Sequence, residues 1–280
     1  MNIIDGKKIA QKIRKNLKKK ITHSAVKPGL SVILVGDDPA SKLYVSLKEK
    51  TCREVGIEFK KFIFPTQTSA EQIIKKIETL NQTSSIQAIL VQLPLPPHLP
   101  TNKIINAIDP KKDVDGFHPQ NIQKIISGKK TIEPVLTKAI WLLIKNTLQA
   151  KKTSTKQKCA IIGKSDVFTT PLQNILVQKN IKTDRLNFRQ FNSLKSYDIV
   201  IVAVGKPNIL NGQMFKNNAI VIDVGINKLK NNRVVGDVNF ATTLTKKGWI
   251  TPVPGGVGPM TVAMLLENTY LLAKKYANKK

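Results

Sequence analysis

Apolar positions along this chain alternate between two patterns. Short apolar runs read as strands: "LSVILVG" (30–36), "EFKKFIF" (58–64), "QAILVQLP" (87–94), "KCAIIG" (158–163), "DIVIVAVG" (198–205) and "AIVIDVG" (219–225). Between and after them, 39–55, 69–81, 134–148 and 259–276 carry helical patterns, and a further helix is expected after Pro171. Near the start, Ile9, Ile13 and Leu17 recur at the spacing of an amphipathic helix. Strands alternating with helices predict βαβ units and largely parallel sheets, an α/β fold. Two lobes joined near residue 130 are the natural division, with the Lys/Thr/Ser-rich stretch 151–157 as a loop. Ligands of such lobes bind at the carboxyl ends of the strands, so the loops there hold the candidate chemistry.

Composition narrows the class. The chain has 280 residues, 41% of them hydrophobic, enough for two packed domains. No apolar run approaches the roughly 18 residues of a membrane span, and the N-terminus lacks the apolar core of a secretory signal. Cys52 and Cys159 lie far apart, which argues against a disulfide framework or a zinc site and fits a reducing cytoplasm. The formal charge is +28, yet only five of the 46 basic residues are arginines. Base-edge recognition leans on arginine, so a sequence-specific nucleic-acid reader is not expected, whereas polyanionic small molecules should be attracted.

Five loops stand out. In "GDDPASKLYVSLKEKTCREVGI", Pro39 can open a helix that sets Tyr44 and Lys48 on one face. A lysine facing a dry surface has its ammonium destabilised and becomes a candidate proton shuttle; a solvated Tyr–Lys pair is the plainer reading. Short-chain dehydrogenases use the same spacing after a glycine-rich turn, but here it lies far upstream of the only candidate turn. In "VQLPLPPH", Gln92 leaves a strand end and can hydrogen-bond a neighbouring lysine without adding charge, or simply cap backbone groups. His98 has no partner pattern and reads as a surface histidine.

In "DPKKDVDGFHPQN", Asp113 and Asp115 flank Val114 and are expected to point in opposite directions, one to solvent and one to a cleft. No further oxygen ligand stands in register, so a carboxylate reading the N–H groups of a heterocycle is a better assignment than a metal, with a turn-forming role as the alternative. In "TPVPGGVGPMTVAMLLENT", Gly255, Gly256 and Gly258 bare the backbone before a helix expected from Pro259; such a loop suits a flat ligand or a hinge. Finally, "AIIGKSDVFTTP" runs from a strand through a turn into a helix, but Gly163 stands alone where a dinucleotide fingerprint has three glycines.

Taken in order, "DDPAS..YV..K.K...E.GI", "VQLPLP", "D..KDVDGFHP.N", "VAVGKP", "VIDVGIN" and "TPVPGGVGPMT.AMLLENT" resemble the bifunctional methylenetetrahydrofolate dehydrogenase/methenyltetrahydrofolate cyclohydrolase family over essentially the whole chain. The resemblance implies a folate-binding catalytic domain from residues 1–130 plus 255–280, the last helix packing back on the first lobe. Residues 131–254 would form a Rossmann-like NAD(P)-binding domain. Lys48 would relay protons, Tyr44 would stack on the folate, Gln92 would tune Lys48 and Asp115 would hold the pterin-like ring. Val91, Leu93, Pro254, Gly255, Gly256, Val257, Gly258, Pro259 and Thr261 would complete the substrate contacts, and Gly163, Lys164, Ser165 and Ile226 would meet NADP or NAD. The implied chemistry is oxidation of 5,10-methylene-tetrahydrofolate and hydrolysis of the methenyl product to 10-formyl-tetrahydrofolate. This is one-carbon metabolism of the kind that serves purine biosynthesis. Members are typically cytoplasmic homodimers that pair through the nucleotide domain, and no metal is implied.

The departures gather in the cofactor half. Where the family reads G-R-S-x-x-V-G-x-P, Lys164 replaces the arginine and Thr169 the glycine. P-C-T-P-x-G is reduced to "PVLTKA", keeping only Pro134; H-S-x-T is absent from "DRLNFRQF"; and Asn239 replaces the last Asp of G-D-V-D. Thr170 is expected to cap a helix opened by Pro171, so an anion-binding helix start should survive. An ammonium lacks the planar fork that grips a ribose phosphate, and a β-branched Thr169 should crowd the pyrophosphate, so weakened nucleotide binding is expected. A cyclohydrolase-only enzyme and a non-catalytic basic paralogue that binds nucleic acid or a protein partner are the alternatives. The retained Lys48, Gln92 and Asp115 favour an enzyme.

Overall fold

The computed structural model describes residues 1–154, 156–187 and 194–278. In chain order the elements are β1 (Asn2–Ile3), α1 (Gly6–Thr22), β2 (Gly29–Val35), α2 (Pro39–Val55), β3 (Glu58–Phe64), α3 (Ala70–Gln82) and β4 (Ala88–Val91). Two short helices, α4 (Thr101–Asn106) and α5 (Pro119–Ile126), precede α6 (Val135–Ala150). Then come β5 (Lys158–Gly163), α7 (Asp166–Gln178), β6 (Lys182–Leu186), β7 (Ile199–Ala203) and β8 (Ala219–Asp223). The hairpin strands β9 (Asn227–Lys228) and β10 (Val234–Val235), β11 (Gly248–Ile250) and α8 (Val257–Ala277) complete the chain.

The chain divides into two compact units. One holds Gln11–Lys124, Lys130–Val135 and Val262–Lys280; the other holds Met1–Ala10, Ile125–Lys129 and Leu136–Thr261. Residues 1–10 and 255–261, expected with the folate lobe, thus lie in the other unit. The reason is pairing: β1 runs parallel to β11, with Asn2 opposite Trp249, and the Lys7 N–H donates to the Gly255 carbonyl.

The first unit is built on a parallel sheet of order β3-β2-β4. All seven residues of β2 are buried, as a strand covered on both faces requires. Ile33 and Ile89 pack on Ile73 and Ile77 of α3, which Ser69 and Gln72 start with a reciprocal capping box. Asp38 caps α2 through the Ser41 N–H, Pro39 opens it, and Gly56 ends it at φ 86°, a left-handed conformation that glycine adopts without strain.

The second unit carries a sheet of order β1-β11-β8-β7-β5-β6, every neighbouring pair parallel. Its core joins Ile162, Val200, Val202 and Val221 to Phe215 and Leu210. The chain passes from β5 through α7 to β6 on one side, then returns to β7 on the other, so the strand order reverses at β5 and β7. Gly163 and Ala203 pair at their carboxyl ends, the place where open α/β sheets bind ligands.

Three expectations about elements are corrected. Helix α7 starts at Asp166, not after Pro171, which lies inside it. The Phe168 and Thr169 N–H groups already donate to the Ser165 carbonyl, so Thr170 caps nothing and proline removes one hydrogen bond early in the helix. Helix α8 begins at Val257, two residues before Pro259, which its first turn tolerates. Strand β6 was not expected because "KTDRL" is mostly charged; at the sheet edge it needs little apolar surface.

Candidate active site

In the first unit, Lys48 lies on the buried stripe of α2 formed by Ser41, Val45, Cys52 and Val55. That spacing assigns position 48 to the inward side of the helix, where a lysine must find a partner. The partner is Gln92, the first residue beyond β4: its Oε1 accepts from Lys48 Nζ at 2.6 Å. Gln92 is itself fixed, its backbone N–H donating to the Ile33 carbonyl and its Nε2 to the Leu93 carbonyl. Burial lowers the Lys48 pKa from its ordinary value, while the Asp115 charge opposes that shift. Burial also pushes the Asp115 carboxyl up to about 6, with Lys48 pulling it down and Asp113 adding to the rise. The two groups thus approach each other in proton affinity. Cys52, one turn from Lys48, is pushed up to about 12 by burial and stays a thiol.

The expected outward turn of one aspartate is not found. Asp113 is 2% exposed and accepts from the Gly116 and His118 N–H groups and from Asn121 Nδ2. Residues two apart in an extended stretch share a face, so opposite orientation did not follow from the spacing. What separates the pair is hydrogen bonding: Asp113 builds the turn and Asp115 is left for Lys48. Gly116 is required in that turn, at φ 79° and with Pro134 so close that a Cβ would meet its Cα at 2.8 Å. Asp113 also bridges to Ile89, which sets the Asp115 segment beside β4. Val91, Leu93, Asp115 and Phe117 line one small cavity there. Tyr44 is 36% exposed, one turn before Lys48 on α2, and His98 is on the surface.

In the second unit, the loop before α8 presses on protein backbone. A Cβ on Gly6 would collide with the Gly256 carbonyl, and one on Gly256 would meet Thr251 Cβ at 2.7 Å. Gly255 takes φ 108°, Pro254 follows a cis bond, and Gly258 faces open space. Thr261 Oγ1 donates to the Gly258 carbonyl within the first turn of α8.

At the carboxyl ends of β5 and β6, beside the start of α7, Gly163, Lys164, Asp166, Thr169, Arg185 and Leu186 line a cavity of about 360 Å³. Ser165 precedes α7 in extended conformation, and Ile226 is exposed after β8. Thr169 is buried, its methyl against Gly163, so its branch packs inward rather than across the opening. Residues 188–191 of the "DRLNFRQF" stretch lie outside the described residues. Sequence reading missed Asp223 and Asp237. Asp237, 0% exposed, accepts from the Val204, Gly205 and Lys206 N–H groups after β7 and from Asn227. Asp223 accepts from Gly225, Asp237 and Val238 N–H groups, and burial pushes it up to about 6. These carboxylates shape the loop at the switch point; the signal was "VIDVG" and "VGDV", two glycine-containing stretches that each carry one aspartate among apolar residues. Among the described residues no helix is long and apolar enough to cross a membrane, and no three His, Cys, Asp or Glu side chains could hold a metal.

Comparison with known proteins agrees with this architecture. Residues 4–115 match the tetrahydrofolate dehydrogenase/cyclohydrolase catalytic domain and residues 134–277 the NAD(P)-binding domain of the same family. A bifunctional protein FolD from Ruthia magnifica subsp. Calyptogena magnifica is 45% identical, over 97% of this chain and 98% of its own length. The crystal structure of the FolD methylenetetrahydrofolate dehydrogenase/cyclohydrolase from Campylobacter jejuni superposes with a TM-score of 0.91 at 38% identity, covering 98% of this chain and 99% of its own. The Trypanosoma brucei dehydrogenase-cyclohydrolase, solved with NADP and an inhibitor, gives 0.89 at 30% identity over 98% of both chains. The chain belongs to the tetrahydrofolate dehydrogenase/cyclohydrolase family.

Proposed function

We propose that this protein oxidises 5,10-methylene-tetrahydrofolate with NADP or NAD and hydrolyses the resulting methenyl compound to 10-formyl-tetrahydrofolate. The observation that carries the reading is the 2.6 Å bond from Lys48 to Gln92, with Asp115 the charge that opposes the lowering of the Lys48 pKa, in the unit whose residues match the catalytic domain. A desolvated ammonium gives up its proton more readily than one in water, so Lys48 can take the proton of an attacking water and return it to the departing ring nitrogen. Gln92, a neutral acceptor, holds Nζ in place without the extra charge that would lock it in the ammonium form. Asp115, ionised above about pH 6, accepts the N–H groups of the heterocycle. Tyr44 offers its ring for stacking.

In the second unit, Gly163, Lys164, Ser165 and the start of α7 would hold the nucleotide at the carboxyl end of β5, and the cavity beside it, reaching towards β6, suits part of such a ligand. When bound, the nicotinamide supplies the hydride acceptor. We further propose a cytoplasmic protein that pairs with a second copy of itself. No observation favours a non-catalytic paralogue: the half-buried Lys48, turned inward on α2, would be a costly residue for a scaffold to keep. Assays of the purified protein for each reaction separately, with NADP and NAD in turn, test the reading; a folded protein inactive in both would refute it.

A further inference from the structure

The arginine missing from the turn after β5 has a counterpart on β6. Arg185 Nη1 donates to Thr170 Oγ1 at 2.7 Å and Thr169 Oγ1 at 3.3 Å, and pairs with the exposed Asp166 at 2.9 Å. Among the described residues, these Nη1 contacts are the hydrogen bonds its guanidinium makes, and the side chain is 41% exposed. The same arginine lines the cavity with Gly163 and Lys164. In dinucleotide-binding folds, the residue about 20 positions beyond the glycine turn, at the end of the second strand, meets the adenosine ribose. An acidic side chain there accepts the 2′-hydroxyl of NAD; an arginine accommodates the 2′-phosphate of NADP. Here the acidic candidate is Asp184, and strand alternation turns it to the other face, where it accepts from Tyr197 Oη and pairs with Lys158. The α7 face is left to Arg185.

We propose that Arg185, braced by the two threonine hydroxyls, reads the 2′-phosphate and makes the protein selective for NADP over NAD. The inference rests on the nucleotide-binding reading and adds its specificity. It also gives Thr169 a use: the hydroxyl that replaces the family glycine orients the guanidinium. The weakened binding expected from Lys164 and Thr169 presumed in part that no planar fork faced the site, and Arg185 supplies one. Asp166 then works against the phosphate in its resting position and must be displaced from the guanidinium or share it.

The test is calorimetric titration of NADP, NAD and 2′,5′-ADP into wild type, Arg185→Gln and Arg185→Lys, with cyclohydrolase assays of the wild type alongside. The expected result is tighter NADP than NAD binding in the wild type. Arg185→Gln should weaken NADP and 2′,5′-ADP by about ten- to a hundredfold, with NAD changing far less and Arg185→Lys falling between. Equal losses for NADP and NAD would assign Arg185 a structural role and overturn the proposal, as would unchanged NADP binding. If Arg185→Gln does not fold, failure of wild-type protein to bind 2′,5′-ADP more tightly than 5′-AMP overturns it equally. A wild type that hydrolyses methenyl-tetrahydrofolate yet prefers NAD sinks this inference alone; one with neither activity nor nucleotide binding sinks the reading beneath it.

Discussion

Gln92 meets Lys48 through its carbonyl oxygen only, because its amide nitrogen is committed to the Leu93 carbonyl 2.6 Å away. The glutamine therefore cannot flip to present an N–H to the lysine, and the Lys48 amine has one fixed acceptor. Removing the amine should remove proton transfer. Lys48→Met is expected to lower the cyclohydrolase rate by about 10²–10⁴-fold while folate affinity, measured separately by titration, changes little. A mutant keeping half the wild-type rate would take Lys48 out of the mechanism. Gln92→Glu should also slow hydrolysis, since a carboxylate in the same place favours the ammonium form.

Asp115 gives the pH dependence its sign. Burial raises its carboxyl to about 6, so acidification through that value neutralises it and weakens its grip on ring N–H groups. Folate affinity should fall below about pH 6, and Asp115→Asn should abolish that dependence along with much of the binding. For stability the sign is opposite. A carboxyl whose folded pKa is raised above the unfolded value of about 4 favours the fold when protonated. Its contribution is complete below about pH 4 and is lost as pH rises through 6. Thermal melts of wild type and Asp115→Asn from pH 4 to 8 should converge at the acid end; parallel curves would contradict the assignment.

Asp237 should matter to stability more than its place outside the cofactor loop suggests. Its carboxylate takes three consecutive backbone N–H groups at the end of β7 and the Asn227 amide. Asp237→Ala leaves the buried Val204 donor and the three part-buried ones without this acceptor, at about 1–3 kcal/mol for a fully buried group and less for the others, and should cost on the order of 4 kcal/mol in denaturant unfolding. A loss below about 1 kcal/mol would mean the loop finds other acceptors.

The +28 charge predicts how substrate affinity responds to salt. Polyglutamylated folates carry several carboxylates that a general positive field attracts, and screening acts on exposed charges. Affinity for a polyglutamate should fall with added salt more steeply than for the monoglutamate. Equal slopes would leave the lysines without a role in substrate capture.

Much of this protein was legible in its sequence because its signals are local. The run 30–36 is apolar but for Ser31 and became the central strand β2; 39–55 is flanked by a capping aspartate and a glycine stop, starts on a proline, and formed α2 over those residues. What escaped depends on partners distant in sequence. β1 and β11 are two and three residues long and exist by pairing, β11 with β8 and β1 with β11. Strand β6 is charged and exists by pairing with β5. In the site, Lys48 and Gln92 were each readable as candidates, but their bond spans two elements that only the fold brings together. The Arg185 contacts were illegible for the same reason: the sequence showed an arginine missing from one turn and could not show another approaching from the neighbouring strand.

The most direct measurement supplies purified protein with 5,10-methylene-tetrahydrofolate and NADP and follows NADPH and 10-formyl-tetrahydrofolate together. The account predicts that both accumulate, in equal amounts at completion, since each molecule oxidised is then hydrolysed at the same protein. Rapid hydrolysis of added methenyl-tetrahydrofolate with no NADPH formed would contradict it and leave a cyclohydrolase alone.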